Sequence, residues 1–331
     1  MATAPIFDAL ILGAGPAGLA CAGGLARQLH TCVLFSNNIY RNARAGHMHN
    51  VVGWDHAPPS SFREKARADL LARYAETVQF HDVGVKKVRK LDDDAAGRTR
   101  FEVEDEQGAK FLGRKVVLAV GVKDIMPELP GYAELWGYGI FHCLFCHGFE
   151  ERGSPSAGVL ATGPMLGGGG GDTVPLMAPT IARMAARLAG QVTVYTDGDE
   201  SHGARIRAAL KSANKFHVEN RRVVKLAKDP EVEGEAGLLI TLEDGTVNKE
   251  GFLAHAPVTE LNGPFAVDLG LTLAPQGHID AQPPFYTTNV PGAYAAGDCA
   301  TMMKAVSQAT AMGSFIAAGL AHVLQAEDDT E

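Results

Sequence analysis

The chain has 331 residues, 46% of them hydrophobic and 21% charged, which is ordinary for a globular protein and gives length enough for two domains. Its 38 acidic and 30 basic side chains leave a net charge of −8, which argues against a nucleic-acid backbone or an anionic membrane as a partner. The first residues contain no basic leader, and no apolar run reaches the roughly 18 residues that span a bilayer, so we expect a cytoplasmic protein.

The first motif is a glycine-rich turn between a strand and a helix. Residues 7–12 form a short apolar run that stops at Gly-Ala-Gly-Pro-Ala-Gly, residues 13–18, and small residues then continue to about Leu29. Glycine lets the backbone approach a pyrophosphate, whose charge is favoured by the N–H groups at a helix N-terminus. A G-x-G-x-x-G turn in this position predicts a dinucleotide site. The predicted contacts are Gly13, Gly15, Pro16 and Ala17.

A second predicted strand, residues 31–35, should be followed by an acidic residue that holds the ribose hydroxyls of a dinucleotide. This chain has Ser36 and Asn37 there instead. A hydroxyl and an amide can still hydrogen-bond a ribose, but without the assistance of a charge. We therefore expect Ser36 and Asn37 to bind the ribose more weakly than a carboxylate would.

Residues 40–56 follow neither a helical nor a strand period. Three histidines lie in this segment, His47, His49 and His56. A metal site is one interpretation of them, with Asp55 as a fourth ligand, but their spacing is loose for a metal. We expect no metal here and instead a loop folded over a cofactor, with Asn50 beside it.

The next part of the chain predicts one helix and several strands. The helix spans residues 60–76 and begins at a Ser60-Ser61 cap. The strands span residues 78–90, 99–105 and 109–120. Two further contacts with the cofactor are predicted at Val85 and Gly121. Proline and glycine at residues 127–131 then mark a crossing into a second domain.

Just past that crossing lies the sequence Cys-Leu-Phe-Cys-His, residues 143–147. Two cysteines with this spacing can close a redox-active disulfide, and the imidazole that follows can carry a proton. The same letters also spell a c-type haem attachment site or half of a four-cysteine zinc site. Zinc would need a second pair, but the other cysteines, Cys21, Cys32 and Cys299, are single. The predicted catalytic residues are Cys143, Cys146 and His147.

A second strand–turn–helix–strand unit is predicted over residues 157–195, with glycines at Gly163 and 167–171 and a helix over 174–188. It is poorly suited to a nicotinamide cofactor. Five consecutive glycines do not make a G-x-G-x-x-G turn, and the acidic residues at 196–200 stand where a 2′-phosphate would need arginine. These features argue against NADPH as a ligand.

The C-terminal part contains Tyr-Ala-Ala-Gly-Asp-Cys-Ala-Thr, residues 294–301, and then a long helix of small residues from Ser307 to about Leu324. A strand that ends in Gly-Asp at a helix N-terminus can place the aspartate on a hydroxyl of a flavin side chain. We read residues 326–331 as a frayed acidic tail. The predicted cofactor contacts in this part are Gly297, Asp298, Gln308 and Ala309.

Together, in this order, the motifs resemble those of the low-molecular-weight thioredoxin reductases, a family of FAD-dependent disulfide oxidoreductases. The resemblance implies an α/β fold with two Rossmann-like βαβ nucleotide-binding domains, the second inserted into the first. The FAD domain would comprise residues 1–122 and 252–331, and the inserted module residues 123–251. FAD would be the cofactor, and the protein a homodimer.

Within that family the chain is similar to the dithiol oxidases of gliotoxin-type biosynthetic pathways. The similarity rests on Tyr-Arg-Asn at residues 40–42, His-Met-His-Asn at 47–50, Gly-Trp-Asp at 53–55 and the cysteine segment with its Gly-Phe-Glu-Glu extension at 148–151. It implies that FAD and molecular oxygen close an intramolecular disulfide in a small dithiol, with Cys146 facing the flavin and His147 replacing the family's acidic proton donor. Two alternatives stay open: an NADPH-dependent disulfide reductase, and a flavin-binding module without catalysis that protects against a reactive thiol compound.

Overall fold

The computed structural model describes residues 5–92, 100–166, 176–212 and 214–329. Contacts between residues divide the chain into two compact units. The first unit consists of Met1–Ala43, Ala57–Lys123 and Glu260–Glu331, and the second of Arg44–His56 and Asp124–Thr259.

Both units alternate strands and helices. In chain order, the strands are β1 (Ile6–Leu12), β2 (Cys32–Phe35), β3 (Val78–His81), β4 (Val85–Leu91), β5 (Arg100–Asp105), β6 (Lys110–Leu118), β7 (Val122–Ile125), β8 (Ile140–Phe141), β9 (Ser154–Leu160), β10 (Ala189–Tyr195), β11 (Phe216–Glu219), β12 (Val223–Lys228), β13 (Leu238–Leu242), β14 (Val247–Glu250), β15 (Leu253–Ala254), β16 (Val258–Leu261) and β17 (Ala293–Ala295). The helices are α1 (Pro16–Ala26), α2 (Pro59–Tyr74), α3 (Tyr132–Leu135), α4 (Ala178–Ala185), α5 (Glu200–Ala209), α6 (Phe265–Asp268) and α7 (Val306–Asp328).

The first unit is built on a mixed sheet with the order β3-β2-β1-β6-β5-β4, in which β17 also pairs with β6. Strands β3, β2, β1, β6 and β17 run parallel, whereas β4, β5 and β6 form an antiparallel meander. Leu12 stands opposite both Phe35 and Leu118, so three strands end at the same level. In a doubly wound sheet this carboxyl edge is where a nucleotide binds.

Helix α7 closes the first unit by packing against α1 through small residues. A Cβ on Gly24 would stand 2.4 Å from the Cβ of Ala317, and one on Gly313 would stand 2.0 Å from the carbonyl oxygen of Ala17. By length and composition alone α7 could cross a membrane, but half of that stretch is buried inside the protein, as in the core helix of a soluble protein. Small residues at these positions let the two helix backbones come together.

The prediction of a frayed acidic tail over 326–331 is wrong for residues 326–328, and residues 330 and 331 lie outside the described residues. Helix α7 continues to Asp328, and Glu327 forms ion pairs with Arg114, at 3.0 Å, and with Lys115. Both basic residues belong to β6, so the end of α7 is tied to the central sheet of its unit. The last turn of α7 is thus held by ion pairs with residues from a distant part of the chain. The helical periodicity of the sequence does not reveal such pairs.

The second unit contains a parallel sheet with the order β11-β10-β9-β15-β8 and an antiparallel sheet with the order β12-β13-β14. Helix α4 was predicted to begin at residue 174 and begins at Ala178. The five glycines at 167–171 lie outside the described residues. The predicted fold class, α/β with two Rossmann-like βαβ domains, is confirmed by this topology and by the family match reported below.

Contacts group the chain somewhat differently from the sequence boundaries. Residues 252–259 were assigned to the FAD domain, but β15 lies between β8 and β9 in the sheet of the second unit. The histidine segment Arg44–His56 groups with the second unit as well. The chain passes from one unit to the other within β7 and β16, which pair with each other.

Two local predictions differ from the structure. The predicted Ser60-Ser61 cap lies inside α2, which begins at Pro59. Proline suits the first position of a helix because the N–H that it lacks would have no partner there. The predicted strand over 78–90 is two strands, β3 and β4, separated at Asp82–Gly84. The sequence also predicts a turn at the three aspartates 92–94, of which residues 93 and 94 lie outside the described ranges.

Candidate active site

The glycine turn lies at the carboxyl edge of the first sheet. Gly13 has φ +112°, and its N–H donates to the carbonyl oxygen of Phe35 at 2.9 Å. A Cβ on Gly13 would stand 2.2 Å from the carbonyl oxygen of Ala119, and one on Gly18 would stand 1.9 Å from that of Gly13. Both glycines are therefore required by the closeness of the backbones.

Gly15 differs from these two because it faces open space. It is the residue before α1, with φ −78°, and a Cβ there would meet no atom of the described chain within 4 Å apart from its neighbours. The N-terminus of α1 therefore carries no side-chain cap, and its first N–H groups can serve a ligand. A pyrophosphate fits this arrangement, with Pro16 and the buried Ala17 forming the first turn of the helix.

The two residues at the predicted ribose position have different surroundings. Ser36 is buried, and its hydroxyl lies 3.3 Å from Oδ1 of Asn38 and 3.2 Å from the hydroxyl of Tyr40. Asn37 is exposed, and its Oδ1 accepts the N–H of Ile39 at 3.1 Å. Both side chains help to shape the loop after β2, so their contact with a ribose stays a prediction.

Asp298 is held by a partner that the sequence did not reveal. Its Oδ2 lies 3.0 Å from Nη1 of Arg41, and both side chains are largely buried. Gly297, with φ +78°, precedes it and is the second residue after the end of β17. Arg41 lies in an irregular segment far from residue 298, and no signal in the sequence indicates that the two side chains meet.

Gly297 joins the glycine turn to the start of α7. A Cβ on it would stand 3.3 Å from the Cβ of Ala17 and 3.5 Å from that of Ala309. The buried Ala309 and the partly buried Gln308 lie in the first turn of α7. Residues from three distant stretches of the chain are thus brought together at one end of α1.

The remaining predicted contacts are more scattered. Val85 begins β4 opposite Asp105, and Gly121 has φ +68° with the N–H of Asn262 donating to its carbonyl oxygen. Asn50 belongs to the second unit, where its own N–H donates to Oδ1 of Asp55 at 3.0 Å. Contacts of these residues with a cofactor stay predictions.

The cysteines of the second unit form a disulfide. Their Cα atoms lie 5.2 Å apart, in a turn where the N–H groups of Cys146 and His147 both donate to the carbonyl oxygen of Cys143, at 3.1 and 3.0 Å. Phe145, at the tip of this turn, is 71% exposed. The disulfide therefore lies in a surface turn with an apolar side chain beside it.

His147 supports this turn from within the unit. Its ring stacks on that of Phe141, with centroids 5.3 Å apart and planes at 11°. Burial lowers the pKa of His147, nearby His49 and His47 lower it further, and Glu150 opposes them. Its Nε2 is buried and finds no hydrogen-bond partner among the residues that the structure describes. A neutral imidazole with an unpaired nitrogen is suited to accept a proton.

The three histidines of residues 44–56 come together on the surface of the second unit. The rings of His47 and His56 stack with centroids 4.1 Å apart, and that of His49 lies 5.2 Å from His56. Glu150 joins them, with its Oε1 3.3 Å from Nε2 of His49. The spacing in the sequence did not suggest Glu150 as a member of this cluster.

The acidic stretch after β10 is engaged within its own unit. Asp199 caps α5, and hydrogen bonds from the N–H of His202 and the hydroxyl of Ser201 lower the pKa of Asp199 to about 2. After β11, Arg221 pairs with Glu219 and Asp244. Acidic groups thus surround the place where a 2′-phosphate would need free arginines.

A dinucleotide-binding first unit and a disulfide-bearing second unit define a flavin- and disulfide-dependent oxidoreductase. Residues 7–313 match the sequence profile of the pyridine nucleotide-disulphide oxidoreductase family, and the chain belongs to this family. The predicted family, the enzyme class and FAD as cofactor are confirmed by this match and by the relatives that follow.

Two curated relatives are fungal proteins named as thioredoxin reductases. The chain is 44% identical over 318 residues to thioredoxin reductase aclD of Aspergillus oryzae, covering 96% of each chain. It is 42% identical over 323 residues to thioredoxin reductase sirT of Leptosphaeria maculans, covering 97% of this chain and 95% of the relative. Among solved structures, that of HlmI matches with a TM-score of 0.85 and 28% identity, covering 100% of this chain and 96% of the other.

Replacing Gly15 tests the pyrophosphate site. The Cβ of a valine there would meet no described atom within 4 Å apart from its neighbours, so Gly15→Val should fold but bind FAD at least tenfold more weakly. The measurement is the flavin-to-protein absorbance ratio after purification, followed by FAD titration of the apoprotein. Gly23→Ala, within α1, is the control, because its Cβ would only touch Leu70 at 3.6 Å. Equal FAD affinity in Gly15→Val and the wild type would contradict this site.

Proposed function

We propose that this protein is an FAD-dependent dithiol oxidase of the sulfhydryl oxidase type. Its substrate would be a small natural product of the epidithiodioxopiperazine kind, in which it closes an intramolecular disulfide, with oxygen as acceptor and hydrogen peroxide as product. The observation that carries this proposal is the unpaired, buried Nε2 of His147 beside a partly buried disulfide. The similarity of the cysteine and histidine segments to gliotoxin-type dithiol oxidases supplies the substrate class.

The first half of the reaction needs only residues of the second unit. His147 accepts the proton of a substrate thiol, and the thiolate attacks Sγ of Cys143, which breaks the bond between Cys143 and Cys146. The second substrate thiol gives its proton to the thiolate left on Cys146 and attacks the substrate sulfur of this mixed disulfide, which releases Cys143. The substrate leaves with its own disulfide, and both cysteines are left reduced.

The second half restores the disulfide. Bound FAD supplies the chemistry that takes two electrons from the dithiol and hands them to oxygen. The residues that would hold FAD are those of the α1 N-terminus and the Asp298 segment. In sum, one dithiol and one oxygen molecule give one disulfide and one hydrogen peroxide.

A second candidate is an NADPH-dependent disulfide reductase. The names of the relatives aclD and sirT favour it, since both are called thioredoxin reductases. The carboxylates around Arg221 and the acidic stretch at Asp199 argue against it, because they repel the phosphates of NADPH. A flavin-binding module without catalysis is the third candidate, and it requires that the disulfide has no redox role.

We also propose that the protein is a homodimer and cytoplasmic.

Oxygen consumption distinguishes these candidates. With dithiothreitol as the dithiol and no pyridine nucleotide, the holoenzyme should take up about one oxygen per disulfide formed. Cys143→Ser should abolish the uptake, because no mixed disulfide can form. Cys21→Ala, which changes a buried thiol of α1, is the matched control and should keep it. If Cys143→Ser kept full activity, or if uptake required NADPH, the oxidase proposal would fail.

The role of His147 is tested by its pH dependence. His147→Ala should slow dithiol oxidation at pH 7 by about a hundredfold, because a general base contributes 10²–10⁴ to a rate. At pH 9 the loss should shrink, since a thiol with a pKa near 8.5 ionises there without help. In the wild type the rate should fall on the acidic side as the imidazole gains a proton and stops accepting one. His202→Ala, which removes the imidazole paired with Asp199, is the control. An unchanged rate in His147→Ala at both pH values would remove His147 from the mechanism.

A further inference from the structure

The histidine segment of the second unit is shaped so that three imidazoles gather at one place. Residues 47–49 are followed by a loop that returns, and the N–H of His56 donates to the carbonyl oxygen of Met48 at 2.9 Å. Met48 is buried, His47 is exposed, and the side chain of His49 is 15% exposed. The return of the chain at His56 adds the third ring, in contact with both.

The loop that does this is conformationally strained. Asn50 and His56 both have φ +60°, a left-handed conformation that side chains other than glycine adopt at a cost. Asp55 holds one of these residues by accepting the N–H of Asn50 at 3.0 Å. In this conformation the ring of His56 lies against those of the other two histidines.

A carboxylate from a distant part of the chain completes the group. Ligand atoms of His49, His56 and Glu150 all lie within 4.8 Å of one another. Donors around a tetrahedral zinc with bonds of about 2.1 Å lie about 3.4 Å apart. The 3.3 Å between Nε2 of His49 and Oε1 of Glu150 already matches that spacing. Turning the exposed side chains of His56 and Glu150 would bring the remaining atoms into range.

A second carboxylate, that of Asp55, lies near the other ring nitrogen of His49, just beyond hydrogen-bond distance. Nδ1 of His49 lies 3.6 Å from Oδ1 of Asp55, while its Nε2 is the nitrogen near Glu150. In metal sites a histidine commonly gives its second ring nitrogen to a carboxylate, which fixes the orientation of the ring. A surface ion pair would need only one carboxylate, whereas His49 lies between two.

We propose that His49, His56 and Glu150 bind a divalent cation of the zinc class, with Asp55 as the residue that orients His49. Two imidazole nitrogens and a carboxylate oxygen are ligands that zinc accepts, and a set of three leaves the fourth position to water or an external ligand. Glu150 is the fourth residue after Cys146, so the cation would bind beside the redox segment. The proposal does not depend on the dithiol oxidase reaction.

Calorimetric titration with zinc sulfate tests the site directly. The FAD-loaded protein is used with its disulfide closed, so that Cys143 and Cys146 offer no thiolates. The wild type should bind about one zinc ion, and His49→Ala and Glu150→Gln should each weaken binding at least tenfold. Asp55→Asn should weaken it about tenfold through the orientation of His49. The control His202→Ala removes another histidine that is paired with a carboxylate, and should bind zinc as the wild type does.

Two results would overturn the proposal: wild-type protein that binds no zinc, or variants of His49 and Glu150 that bind it as tightly as the wild type. Because a substitution in this strained loop could disturb folding, the site can also be located without variants. Anomalous diffraction at the zinc edge from wild-type crystals soaked in zinc should give its strongest peak between His49, His56 and Glu150. A strongest peak elsewhere would contradict the assignment. Both measurements read out binding, so their failure leaves the oxidase proposal untouched.

Discussion

Three parallel strands of the first unit end at the same level, and the cofactor site depends on this register. Leu12 stands between Phe35 and Leu118, so the residues that follow β1, β2 and β6 meet at one edge. The backbones come so close there that Gly13 has no room for a side chain. The chain can turn directly into α1, whose N-terminus is left for a pyrophosphate. Helix α7 then brings Ala309 to the same end of α1 as Gly297.

The second unit repeats this strand–helix plan with a different distribution of charge. Tyr195 ends β10 opposite Glu219 at the end of β11, and the residues that follow both strands are tied to carboxylates. Such a surface gives little attraction to the phosphates of a pyridine nucleotide. The groups that can do redox chemistry lie elsewhere in the unit, in the turn with the disulfide and His147. This separation is why we propose a thiol, rather than NADPH, as the source of electrons.

Much of this organisation could be predicted from the sequence, because the local signals were strong. The glycine turn at 13–18 and the Cys-x-x-Cys pair at 143–146 are local motifs, and the order in which they occur with the Gly-Asp segment at 297–298 favoured redox chemistry over a haem or zinc site. The pairs that were missed, Arg41 with Asp298 and His49 with Glu150, join residues about 257 and about 100 positions apart, and only the folded chain brings them together. The extension of α7 was missed for the same reason, since Glu327 is held by Arg114 and Lys115 from β6.

The central claim is that a dithiol, and not a pyridine nucleotide, reduces the flavin of this protein through Cys143 and Cys146. The most direct measurement is the flavin absorbance of the oxidised holoenzyme, mixed without oxygen in a stopped-flow spectrophotometer with either dithiothreitol or NADPH. The account predicts that the flavin bleaches with dithiothreitol and stays oxidised with NADPH. Rapid bleaching by NADPH, with none by the dithiol, would contradict it and identify a reductase.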